Sequence, residues 1–204
     1  MAIKRIFFIS LIMLLSLPAA HAAGTDNGNL PSWKGRWITT DRAQGTPNTW
    51  LIYRKEANLD KVPETLNARI AADSKYWMWI NDSLVVFEGG LKRGPAPGQT
   101  YYDVVDIAPY LVPGENTIAV LLWYFGKNGF SHASSGAAAL LFDAQSPEAE
   151  IVSDNTWLCG VYGAFSNTGA PHPNYRLPES NIRFDARKAL DGWNKKGYKG
   201  RMGR

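Results

Sequence analysis

From residue 23 onward, no stretch long enough for a helix repeats its apolar residues at helical spacing. Short runs either alternate apolar with polar residues or are apolar throughout, and turn-forming residues separate them. A strand sends successive side chains to opposite faces, whereas a helix returns to the same face every three or four residues. The pattern restricts the chain to an all-β solution. Residues 65–73 place Leu66, Ala68, Ile70 and Ala72 on one face and Thr65, Asn67, Arg69, Ala71 and Asp73 on the other, which predicts a half-buried strand. Residues 115–125 (ENTIAVLLWYF) are apolar on both faces, Ile118, Val120 and Leu122 against Ala119, Leu121 and Trp123. That predicts a central strand covered on each side.

Further strands are predicted over 49–57, 75–80, 84–87, 100–106, 137–142 and 180–186. Asn81, Asp82 and Ser83 predict a tight turn that pairs 75–80 with 84–87. Asp106 ahead of Ile-Ala-Pro-Tyr-Leu predicts a capped turn, with Pro109 tolerated in its first turn. Residues 89–99 and 160–178 read as loops, and the second is long for a connection without structure of its own. A β-sandwich or jelly roll follows.

The formal charge of +4 sits at the ends of the chain. Residues 23–186 carry 13 basic and 17 acidic side chains, so the body is acidic and a nucleic-acid partner is not expected. The first 22 residues, MAIKRIFFISLIMLLSLPAAHA, have Lys4 and Arg5 before an apolar run and end in Ala20-His21-Ala22. This is the layout of a signal peptide, and the run is short of the roughly 20 residues a membrane span needs. The expectation is a secreted or periplasmic chain, free of the membrane once cleaved before Ala23. With Cys159 alone, no intrachain disulfide can form and a multi-cysteine zinc site is excluded. Residues 188–204 are basic and glycine-rich, which predicts a poorly ordered tail that only Trp193 is placed to pin.

Three segments carry a resemblance. Residues 76–81 (YWMWIN), 101–103 (YYD) and 106–120 (DIAPYLVPGENTIAV) resemble galactose-binding-like jelly rolls, which accompany many glycoside hydrolases. Together with Trp37-Ile38, Tyr53-Arg54-Lys55 and above all 174–187 (NYRLPESNIRFDAR), they look like the N-terminal region of bacterial α-L-rhamnosidases. The resemblance spans residues 33–198 and puts a single module over 33–187. In that family it implies catalysis by carboxyl groups of an (α/α)₆ barrel far downstream, so no catalytic residue carries over, and the chain reads as a fragment that stops before the barrel. It implies a non-catalytic module that binds carbohydrate, a rhamnose-containing glycan among the options, or docks against the catalytic barrel. An independent lectin-like binder is the alternative. Some rhamnose-binding modules of the family use calcium, although no ligand set aligns here; no other cofactor is implied.

The residues themselves favour no enzyme. Asp103 and Asp106 are expected on opposite strand faces, and Glu179 lies in a turn. His132 and His172 have no metal or triad spacing around them, and nothing beside Cys159 would activate it. Sugar rings present apolar C–H faces that stack on indole and phenol rings. Trp77, Trp79, Tyr101, Tyr102, Trp123 and Tyr124 are therefore the carbohydrate-binding candidates, with core or interface packing as the competing use of the same rings.

Overall fold

The computed structural model describes residues 32–43, 46–91, 100–129, 132–169, 181–200 and 202. The leader reading falls outside them. Strands β1 (Thr49–Leu59), β3 (Lys75–Ile80), β4 (Ser83–Gly90), β6 (Gly114–Tyr124) and β9 (Leu158–Val161) form a five-stranded sheet in the order β4-β3-β6-β1-β9. Strands β2 (Asn67–Ala72), β5 (Asp103–Asp106), β7 (Leu140–Gln145) and β8 (Glu150–Val152) form a four-stranded sheet in the order β5-β2-β7-β8. The strand pairs are antiparallel. The chain is an all-β sandwich of the jelly-roll kind.

Alternation decides what fills the space between the sheets. Leu51 and Tyr53 of β1, Tyr76, Met78 and Ile80 of β3, and Ile118, Val120 and Leu122 of β6 point inward. They meet Ala68, Ile70 and Ala72 of β2 and Leu140, Phe142 and Ala144 of β7. The turn between β3 and β4 is set by Asn81 and Asp82, whose φ angles of 46° and 70° are the left-handed pair a two-residue hairpin needs. Asp106 Oδ1 accepts from the N–H of Ala108 at 3.1 Å, as a capping carboxylate does, and also from Leu66 N–H at 2.9 Å. The helical cap position itself belongs to Ile107.

β6 is central, as its two apolar faces require. Its outward residues Ala119, Leu121 and Trp123 do not meet water; they enter a second cluster with Trp50 and Ile52 of β1. The cover is chain from residue 162 onward: Tyr162, Ala164, Trp193 and Met202 are buried there, with Phe165, Leu190 and Tyr198 packed at the margin. Strands β10 (Phe165–Asn167) and β11 (Ile182–Phe184) pair as a ribbon within this cover.

Two expectations are corrected. The described part of the 160–178 loop contains the end of β9 and all of β10, and β8 was also unforeseen. These strands are three or four residues long, too short to display a period of two, and Gly160 lies buried within β9 rather than in a turn. Second, the described residues of 188–204 are packed, not disordered. Arg54, buried on the outer face of β1, donates from Nη1 to the carbonyls of Trp193 at 3.2 Å and Lys195 at 2.8 Å. Lys196 N–H reaches Asp82 Oδ1 at 3.0 Å. A buried guanidinium must have acceptors, and this segment supplies them.

Candidate functional site

The six candidate rings do not converge. Trp77 and Trp79 share the outer face of β3, half-buried at the rim of the second cluster. Trp123 lies deeper on that face, stacked on Trp50 at 4.5 Å, while Tyr124 points into the inner core. Both are buried, so neither presents a free ring face to a ligand. Tyr101 is exposed before β5, and Tyr102 meets the edge of Trp33.

The carboxylates of Asp73 and Asp103 hold the structure together. Asp73 accepts from Ser74 Oγ at 2.5 Å, Ser135 N–H at 2.6 Å and Ser135 Oγ at 2.8 Å, with His132 Nε2 3.2 Å from its Oδ1. Burial alone would raise this carboxyl, but His132 and the donors of Ser74 and Ser135 outweigh it and hold Asp73 below the usual range. Serine, histidine and aspartate are all present, yet Ser134 Oγ bonds the carboxylate directly at 3.1 Å rather than the imidazole. A triad needs the imidazole between them, and His132 is buried, so the cluster ties the chain around residues 132–135 to the start of β3 instead. Asp103 is taken up by Tyr76 Oη at 3.0 Å and Gly90 N–H at 2.9 Å. Glu179 and His172 lie outside the described residues.

An open cleft lies elsewhere, between residues 34–41 and the chain from β8 into β9. Its near wall is fastened at several points. Asp143 of β7, buried, receives the N–H groups of Lys34 and Gly35 at 2.7 and 2.8 Å and Arg69 Nη2 at 2.8 Å. Burial would raise the Asp143 carboxyl, but these donors hold it below its ordinary value. Arg36 N–H and Ser153 O bond at 2.8 Å, and Ile38 pairs with Leu140. Glycine at 35 is required: a Cβ there would run into the Phe142 carbonyl oxygen.

The cleft encloses about 1230 Å³. Trp37 lines it and is 49% exposed. Trp157 also lines it, buried and anchored by Nε1 to Val152 O at 2.8 Å. Glu150 pairs with Lys34. Asp154 accepts Thr156 N–H at 2.9 Å and lies 3.8 Å from Lys55 Nζ. Despite burial, Thr156 and Lys55 hold Asp154 below its usual range, opposite to what a general acid needs at neutral pH. Burial pushes the Cys159 thiol up to about 12, which removes it as a nucleophile. Among the described residues, no group of three or more His, Cys, Asp or Glu side chains gathers at one place. Sequence reasoning missed the cleft. Trp37 was noted only as part of a motif, because its exposure depends on β8 and β9 more than a hundred residues away.

No protein-family model matches the sequence, and no curated protein matches it. Solved structures do. A GH78 family rhamnosidase of Bacillus sp. GL1 superimposes with a TM-score of 0.72 at 24% identity, over 82% of this chain and 17% of that enzyme. This chain has the fold of one domain of that enzyme. An α-L-rhamnosidase from Aspergillus terreus gives 0.57 at 20% identity, over 81% of this chain and 20% of its own. The chain thus spans about a fifth of the length of the rhamnosidases it resembles.

Proposed function

We propose that this chain is a non-catalytic, carbohydrate-binding module of an α-L-rhamnosidase-like glycoside hydrolase, exported by its leader and placed ahead of the catalytic barrel it docks against. The observation that supports the reading most is the rhamnosidase-domain fold, matched over four-fifths of the chain. The carboxylates fit the same reading. Hydrolysis of a glycoside needs one carboxyl held protonated and a second facing it across the bond, whereas Asp73, Asp103, Asp106 and Asp143 are engaged in holding backbone and Asp154 is biased toward ionisation. A module with this surface contributes recognition, and the chemistry is supplied by another domain.

Purified protein from Ala23 is expected to leave aryl α-L-rhamnosides intact and to bind rhamnose-containing glycans in isothermal titration. Turnover that a single Asp or Glu substitution abolishes would overturn the non-enzyme reading. N-terminal sequencing of exported protein should begin at Ala23.

A further inference from the structure

Of the eight tryptophans, seven have an aromatic neighbour: Trp33 against Tyr102, Trp50, Trp77 and Trp123 in one stack, Trp79 against Trp193, and Trp157 against Phe142. Trp37 has none among the described residues; it lines the cleft and is half exposed. An exposed indole presents a flat apolar face that a ligand can cover. We infer that the cleft is a binding site for a neutral oligosaccharide several units long, with Trp37 as the stacking platform; this rests on the carbohydrate-binding reading above and gives it a location and a ligand class.

Three properties select that ligand. Trp37 offers an apolar plane, and short polar groups, Thr39, Thr40, Asn155 and Thr156, share the lining with it. An apolar face bordered by hydroxyl and amide partners is the complement of a pyranose, which carries a C–H face and a rim of hydroxyls. The charges cancel. Lys34 and Arg36 line the cleft with Asp41, Glu150 and Asp154; Lys34 pairs with Glu150, and Lys55, outside the lining, balances Asp154 from 3.8 Å. No excess of either sign remains to draw a charged polymer, and the paired groups are held in place to receive hydroxyls. Size leaves room for more than one sugar. At about 1230 Å³ the cleft exceeds the roughly 300–1,000 Å³ typical of pockets for a single small ligand, and it is open rather than enclosed.

The test titrates the protein from Ala23 with methyl α-L-rhamnoside, with neutral rhamnose-containing di- and tetrasaccharides, and with an acidic tetrasaccharide, following heat and indole fluorescence. The neutral tetrasaccharide is expected to bind roughly tenfold more tightly than the monosaccharide. Trp37→Ala and Asn155→Ala should weaken it, the first by roughly tenfold, with unchanged melting temperatures because both side chains are exposed. Wild-type affinity retained in Trp37→Ala would overturn the cleft and leave the carbohydrate-binding reading standing. Preference for the acidic chain, or a monosaccharide bound as tightly as the tetrasaccharide, would overturn the ligand class. No binding of any of these saccharides by the wild type would remove the reading and the cleft together.

Discussion

Asp143 shows how much of this molecule turns on single buried charges. Its carboxylate joins the N-terminal segment to β7 and is balanced by Arg69, whose guanidinium also lies 4.1 Å from the ring of Trp33. Replacing Arg69 with Met leaves a buried carboxylate without its cation and should cost about 3–5 kcal/mol, read as a shift in denaturation midpoint. The pH dependence has a defined sign. Asp143 and Asp73 have folded values below the ordinary 3.8, so the stability they contribute is complete above that value and is lost as pH falls through the lower folded value. Melting temperature should therefore decline from about pH 4 downward, and more shallowly in Asp143→Asn, starting from a lower plateau. Asn81 makes a second case. Its left-handed φ alone predicts a loss of about 1–2 kcal/mol for Asn81→Val. Its amide also bonds Asn116 Oδ1 at 2.7 Å, Tyr110 O at 2.9 Å and Thr117 N–H at 3.0 Å, which adds to the loss. The turn was legible in the sequence because Asn and Asp tolerate positive φ. The bonds were not, because they join residues some thirty positions apart.

Among the elements, the segment after β11 departs most from its composition. Glycines and lysines suggest disorder when counted, yet Trp193 is buried between Trp79 and Tyr162, and Tyr198 lies beneath the Arg54 guanidinium. Trypsin is expected to leave Lys195, Lys196 and Lys199 uncut for as long as the strands survive. Trp193→Ala should cost about 3–5 kcal/mol and open those sites first. The sequence displayed only Trp193 as an anchor, because the partners of Arg54 are main-chain carbonyls that no side-chain pattern encodes. The long strands were legible for the opposite reason. β2 and β6 carry their burial in their own alternation, whereas β8, β9 and β10 are strands only because β7, β1 and β11 lie beside them.

Across the whole molecule, the central sheet has no solvent face over its middle strands: β6 and β1 contribute to an inner core on one side and an outer core on the other. A sheet clamped from both sides should unfold in one step, so far-UV and indole signals are expected to share a midpoint. The sandwich class followed from the strand pattern. The second core did not, since its cover is built from turns whose apolar residues are widely spaced. The sheet face beneath that cover has an optical consequence. Trp50 lies nearly parallel to Trp123, 4.5 Å away with 12° between the planes, and to Trp77 at 5.9 Å with 21°. Transition dipoles that close couple, and their shared excitation splits into paired bands of opposite sign in circular dichroism. Because the three rings stand on β1, β3 and β6, the couplet reports the side-by-side pairing of those strands and should vanish at the same midpoint as the backbone signal.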